Sequence, residues 1–193
     1  MYKKIFKRLF DVVGSCAAII LLAPVFMVVS VLIFFKMGSP VLFKHRRTGF
    51  KMAGFSVYKF RTMIDDPLLS DEQRITEFGL FLRRYSLDEL PQFFNVVLGD
   101  MSLIGPRPLL PEYDDHYSTE QKKRFDLRPG ISGLAQVEGR NSLDWAEKFD
   151  YDIQYSKNVS FILDMIICFK TVLVVLKSSD FNPAGETKKF SDL

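Results

Sequence analysis

Residues 12–35 read VVGSCAAIILLAPVFMVVSVLIFF, a run without a single charge. As a helix it would be about 36 Å long at ~1.5 Å per residue, enough for a ~30 Å hydrocarbon core. Such a run excludes intrinsic disorder and argues against a purely soluble chain. Over all 193 residues mean hydropathy is only +0.07 and 25% of residues are charged, so the apolar character is concentrated in this segment. The chain beyond residue 36 has the size of one modest domain, which leaves no room for a polytopic transporter.

Lys3, Lys4, Lys7 and Arg8 precede the run, and Lys36, Lys44, Arg46 and Arg47 come after it. A basic start before an apolar stretch also marks a secretory signal. This run is long for one, carries Pro24 at its midpoint and lacks a small-residue cleavage pattern. The positive-inside rule keeps both basic flanks on the cytoplasmic side, which a hairpin satisfies and a straight span does not. Pro24 removes a backbone donor and its ring clashes with the preceding turn, so it supplies the bend. A proline-kinked spanning helix is the other reading. Carbonyls freed at the bend need donors that lipid does not offer. Ser15 and Ser30 are the only hydroxyls in the run, so the bend is expected to lean on the soluble domain. Asp11, three residues after Arg8, is expected to pair with it.

Beyond the run, residues 37–66 mix Gly38, Pro40, Gly49 and Gly54 with short alternations and read as strand and turn. Residues 65–77 read as a polar loop with a short helix, and 78–85 as a helix with one apolar face. Ser86-Leu87-Asp88-Glu89 has the spacing of a capping box, which predicts one amphipathic helix over 87–98 stopped by Gly99. Helices are also predicted over 142–158, with Trp145 and Phe149 inward, and over 160–177. In the last of these Asp164, Lys170 and Thr171 argue against lipid on every side, so it suits the domain, a membrane surface or a homodimer. Residues 178–193 read as a tail. The fold class expected is therefore α+β: a helix-break-helix segment over 1–36, a domain over 37–177 and the tail.

Cys16 and Cys168 each lie in apolar stretches and read as two small buried hydrophobes. His45 and His116 are the only histidines, and no pair has zinc spacing. Lysine and arginine total 26 against 23 acidic residues, too even a balance to indicate nucleic acid.

Two adjacent carboxylates, Asp88 and Glu89, fall at a predicted helix start beside Arg83 and Arg84. The helix dipole would keep Asp88 ionised and available as nucleophile or metal ligand, although a first-turn acid is also ordinary capping. Lys59, Arg61, Arg83, Arg107, Arg128 and Arg140 sit near glycine or proline or at element ends, where guanidinium forks suit phosphate oxygens. A solvated basic face is the plainer reading. Combined with the apolar segment, these residues indicate chemistry on a phosphorylated substrate at the cytoplasmic membrane surface.

The motif Ser86-Leu87-Asp88-Glu89-Leu90-Pro91-Gln92, followed by Gly99-Asp100-Met101-Ser102-Leu103-Ile104-Gly105-Pro106-Arg107-Pro108, resembles the bacterial sugar transferase family of small monotopic phosphoglycosyl transferases. So do Lys7-Arg8 with Asp11, Tyr58-Lys59-Phe60-Arg61-Thr62-Met63, and Arg128-Pro129-Gly130-Ile131 continuing through Gln136 to Gly139-Arg140-Asn141. The resemblance runs over residues 3–177. It implies transfer of a sugar phosphate from a UDP-sugar to polyprenyl (undecaprenyl) phosphate with release of UMP. Asp88 would be the nucleophile and a Mg²⁺ ligand, and Glu89 its partner. Arg83 and Arg107 would bind phosphate, with Lys59, Arg61 and Arg128 beside them. Gln136, Arg140 and Asn141 would lie near the nucleotide. A re-entrant helix broken at its proline, residing in the cytoplasmic membrane with the domain in the cytoplasm, is implied as well, which favours the hairpin.

The chain departs from the family at two places. Ala23 stands where Ser often precedes the membrane proline, and Glu138 where Asn is common, so Glu138 is expected to point away from the nucleotide. The tail motif 185–190 and the short length resemble enzymes that start bacterial N-linked glycans with diacetylbacillosamine phosphate, implying an N-acetylated hexose. A membrane scaffold for glycan assembly and a nucleotide-sugar hydrolase are the alternatives from other classes.

Overall fold

The computed structural model describes residues 2, 6–66, 68–139 and 142–177. The uncharged run forms two helices, α1 (Lys7–Leu21) and α2 (Ala23–Met37), bent by 62°. No single helix among the described residues is long and apolar enough to cross a membrane. Pro24 sits in the first turn of α2, where its missing N–H has no helical partner to lose. The hinge residue Leu22 still donates its N–H to the Ala18 carbonyl at 2.9 Å.

The bend leans on the domain, as expected, but through rings rather than hydroxyls. Phe26 packs at 5.7 Å from both Phe60 and Phe94, and Val29 and Ile33 are buried with Phe60 and Leu82. The Ser15 hydroxyl is buried and has no hydrogen-bond partner among the described residues.

After α2, strands β1 (Leu42–Thr48) and β2 (Gly54–Phe60) form an antiparallel hairpin in register from Leu42 opposite Phe60 to Thr48 opposite Gly54. A short α3 (Asp71–Arg74) precedes α4 (Glu77–Arg84), which is capped by the Thr76 hydroxyl accepting from the Gly79 N–H. Gly79 allows α4 to lie against the loop after β2, since a Cβ there would fall 1.9 Å from the Thr62 carbonyl oxygen.

The predicted single helix over 87–98 is in fact a 3₁₀ turn, Leu87–Glu89, followed by α5 (Gln92–Leu98). Ser86 adopts a left-handed backbone, φ 55°, whereas a cap needs an extended one, so the capping box does not form. Glu89 is drawn to Lys59 instead. α5 ends at Gly99, as expected. Asn95 ties α5 to the hairpin: its Oδ1 accepts from Tyr58 N–H at 2.9 Å and its Nδ2 donates to Ser56 O at 2.8 Å.

Next, β3 (Ser102–Ile104) pairs in parallel with β4 (Gly130–Ser132). The two backbones run so close behind Arg107 that a Cβ on Gly130 would lie 2.1 Å from Gly105 N. α6 (Leu134–Glu138), α7 (Trp145–Lys157) and α8 (Phe161–Lys177) complete the described residues. α7 is capped by a full box between Asp144 and Glu147. Trp145 and Phe149 are buried with Tyr113, Tyr117 and Phe125.

The mixture of helices and two small sheets is an α+β arrangement. The polar positions of α8 face protein: Asp164 is fully buried, Thr171 Oγ1 lies 2.6 Å from Ser132 Oγ, and Lys170 pairs with Glu138 at 2.6 Å.

Two expectations near the N-terminus are corrected. Arg8 and Asp11 do not pair with each other. Arg8 donates to the last carbonyls of α5, Val96 O at 2.6 Å and Val97 O at 3.1 Å. Asp11 accepts from Ser102 Oγ at 2.7 Å and Leu103 N–H at 3.0 Å. A local i,i+3 pair is worth only a few tenths of a kcal/mol and gives way to such tertiary partners. Cys16 is exposed rather than buried, and both cysteines are free. The tail over 178–193, with its 185–190 motif, and Lys3 and Lys4 lie outside the described residues.

Candidate active site

A cavity of about 1120 Å³ opens between the hairpin, the 3₁₀ turn, the loop after β3, and α6 to α8. Asp88 and Glu89 line it together with Lys59, Arg61, Arg83, Arg107 and Gln136. Residues scattered over 78 positions of sequence therefore meet around one space.

The two carboxylates have different surroundings. Glu89 Oε1 is held by Lys59 Nζ at 2.6 Å and lies 3.7 Å from Arg107 Nη2. Asp88 is only 7% exposed, and Lys59, Arg83 and Arg107 act on it through charge. Burial first, and the neighbouring Glu89 second, push its carboxyl up from 3.8 to about 6, while the three cations pull it back. At neutral pH Asp88 is thus ionised, as expected, but its pKa is set by burial and not lowered by a helix start. The 3₁₀ turn offers no long dipole, and desolvation dominates. Above about pH 6 the group is an anion close to three cations, a poorly solvated carboxylate suited to nucleophilic attack.

Hydrogen bonds from outside the dyad set the cations. Arg83, on the last turn of α4, donates Nε to Thr62 Oγ1 at 3.0 Å. Arg107 follows Gly105 and Pro106, and its carbonyl accepts from Arg124 Nη2 at 2.6 Å. Arg124 is itself fixed by Asp152 through bonds of 2.7 and 3.1 Å, in a pair almost wholly buried. Arg124 and Asp152 line the cavity too, and sequence reading missed both. They are 28 residues apart, with no local pattern linking them.

Arg61 lines the cavity, but its guanidinium donates to the carbonyls of Met37, Gly38 and Ser39 (2.7 Å to Gly38, 3.1 Å to Ser39), so it caps the end of α2 instead of reaching for phosphate. Arg128 is not among the lining residues. It donates to Gly99 O at 2.8 Å, and its guanidinium sits 5.4 Å from the Phe50 ring centre. Gln136 lines the cavity with both amide atoms buried and without a hydrogen-bond partner among the described residues. Arg140 and Asn141 lie outside the described residues. Glu138 is absent from the lining and neutralised by Lys170, in accord with its expected outward direction. His45 and Arg47, singled out for no role by sequence, line the wall beside Lys59.

Residues 2–178 match the family described as bacterial sugar transferase. The chain is 44% identical to the uncharacterized sugar transferase EpsL of Bacillus subtilis (strain 168), covering 90% of this chain and 89% of that one. It is 36% identical to the exopolysaccharide production protein ExoY of Rhizobium meliloti (strain 1021), covering 89% and 86%. It is 38% identical to the UDP-glucose:undecaprenyl-phosphate glucose-1-phosphate transferase of Klebsiella pneumoniae, covering 87% of this chain but 39% of that longer one. With a match over nearly its whole length, the chain is an enzyme of the bacterial sugar transferase family.

Proposed function

We propose that the protein transfers a sugar-1-phosphate from a UDP-sugar to polyprenyl phosphate in two displacements at Asp88, as the first membrane step of glycoconjugate assembly. The observation that carries this reading is the division of labour in the dyad. Glu89 is clamped by Lys59 and Arg107, while Asp88 is left buried, with a raised pKa, on the wall of a cavity rich in cations. In the first step an Asp88 oxygen attacks the sugar-linked phosphorus. The phosphoanhydride bond breaks, and its electron pair leaves with UMP. An oxygen of the lipid phosphate then attacks the same phosphorus and expels the Asp88 carboxylate, giving polyprenyl diphosphate sugar. Lys59, Arg83 and Arg107 hold phosphoryl oxygens throughout, and Glu89 orients the lipid phosphate.

Mg²⁺ fits this arrangement. Among the described residues no group of three or more His, Cys, Asp and Glu side chains could cage a metal. Mg²⁺ commonly needs one or two carboxylates plus substrate phosphates. The ion pairs of the dyad fall on Glu89, leaving an Asp88 oxygen for such an ion. When bound, it would neutralise charge on the leaving phosphate.

Purified protein given undecaprenyl phosphate and Mg²⁺ is expected to release UMP from at least one of UDP-glucose, UDP-galactose, UDP-N-acetylgalactosamine and UDP-diacetylbacillosamine, and only with the lipid present. Free sugar phosphate formed without lipid would establish a hydrolase instead.

The cytoplasmic leaflet is proposed as the site of action. α1 turns Lys7, Asp11 and Ser15 towards protein and exposes Leu9, Val13 and Ile20. α2 exposes Met27, Val31 and Phe35, and α8 exposes Ile162, Phe169 and Leu176. Apolar exposure on this scale marks a membrane or partner surface. In a variant lacking Cys16 and Cys168, single cysteines at Lys3 and at Ser39 are both expected to label only from the cytoplasmic side. Labelling from opposite sides would replace the hairpin by a span.

A further inference from the structure

Alternation along β1 puts Phe43, His45 and Arg47 on one face, and all three line the cavity. Arg47 Nη2 lies 3.2 Å from His45 Nδ1. A guanidinium can only donate, so Nδ1 accepts, and the proton of the neutral ring sits on Nε2. Phe43 flanks the imidazole, with ring centres 5.7 Å apart. Burial, then Arg47 and Lys59, hold the ring below its ordinary pKa, with Glu112 acting the other way.

Register places His45 relative to the reacting groups. Lys59, which grips Glu89, stands opposite Phe43. His45 is two residues further along, about 7 Å, in the direction away from the end of α2 and towards Thr48. It therefore flanks the phosphate-binding cations on the side remote from the bent helices, where a water-soluble donor rather than a lipid would extend. Lys59, Arg83 and Arg107 already serve anionic oxygens, so one N–H suits an uncharged acceptor.

We propose that His45 contacts the nucleotide sugar, donating its Nε2–H to an uncharged oxygen beyond the diphosphate. This contact rests on the nucleotide-sugar reading of the site. The oxygen belongs either to a sugar hydroxyl or carbonyl or to the uracil base, and the two are told apart by the ligand that feels the change.

Two measurements test it. With ¹⁵N-histidine labelling the full chain has only two rings, His45 and His116, and His45→Gln assigns them. At pH 7 the His45 ring is expected to be neutral with its proton on Nε2, and that nitrogen is expected to shift on adding UDP-sugar. An imidazolium, or a proton on Nδ1, would overturn the proposal whether or not the protein turns over. In steady state His45→Ala is expected to raise KM for the UDP-sugar about 3- to 10-fold, as for one lost neutral hydrogen bond, with KM for polyprenyl phosphate held. His45→Gln, which keeps a neutral N–H donor, recovers most of that loss, and His45→Lys does not. Weakened UMP binding by His45→Ala assigns the contact to the base, and unchanged UMP binding assigns it to the sugar. Wild-type KM in His45→Ala, or Gln no better than Ala, would refute the contact. A wild type that releases no UMP from any donor defeats the catalytic reading alone, and the tautomer and the ring-nitrogen shift on adding UDP-sugar still judge His45.

Discussion

Asp88→Asn is expected to release UMP at least about 10³-fold more slowly than wild type while folding at least as well, because the amide keeps the side chain's shape but removes the attacking anion. The two effects have one physical origin. Folding moves the Asp88 carboxyl from 3.8 to about 6, chiefly through burial. Between those values the folded state binds more protons than the unfolded one, so stability falls as pH rises through that window. By pH 7 the whole loss has been incurred. Asparagine never ionises, so the variant should be more stable at pH 7 by on the order of 3 kcal/mol, a rise in melting temperature of about 6–12 °C. Below about pH 3 both states of the wild type hold the proton, and the difference should vanish. The same shift sets the rate profile. Wild-type kcat should fall about tenfold per unit below pH 6 as the nucleophile is protonated. Scanning calorimetry and a UMP-release assay across pH check both limbs. An active Asp88→Asn protein would remove Asp88 as nucleophile, and one destabilised at pH 7 would contradict the burial argument.

The bend could be read from sequence because proline acts locally, whatever surrounds it. Capping was less legible, as two segments show. Ser86-x-x-Glu89 and Asp144-x-x-Glu147 carry equivalent patterns, yet only the second closes a box. Asp144 has an extended backbone, φ −74° and ψ 174°, and its Glu147 returns to it. Ser86 is left-handed, and Lys59, 30 residues away, takes Glu89. The basic residues divide in the same way. Arg61 and Arg107 both sit beside motif residues, but Arg61 faces the open carbonyls at the end of α2 and Arg107 faces Glu89. Which of these a guanidinium meets is decided by how the hairpin lies against α2, information that no short window contains. That Asp88 and Glu89 stand side by side was legible, whereas the electrostatics of the pair, which depend on burial, were not.

Asp164→Ala is expected to lower stability by about 3–5 kcal/mol, or about 6–20 °C in melting temperature, because it strands a buried ammonium. Asp164 is fully buried. Its Oδ1 accepts from Tyr155 OH at 2.6 Å, and its Oδ2 accepts from Tyr2 OH at 2.5 Å and Lys7 Nζ at 2.8 Å. Lys7 is 7% exposed, and its nearest other carboxylate, Asp11, is 3.8 Å away and already bonded to β3. The same Tyr155 hydroxyl reaches Ile104 O at 3.2 Å, so the network joins α1, α7, α8 and the strand that leads through Gly105 and Pro106 to Arg107. Loosening it should therefore also slow UMP release, without any contact to substrate. The double variant Lys7→Met, Asp164→Leu removes both charges and refills the space, and should recover most of the lost stability, since replacing a buried pair by apolar side chains is often neutral. Recovery of stability without recovery of rate would mean that the charges hold β3 in register rather than merely glue the helices. An Asp164→Ala protein within about 1 kcal/mol of wild type would show that Lys7 finds water or Asp11 at little cost, and the network would then lose its role in seating α1 on the domain.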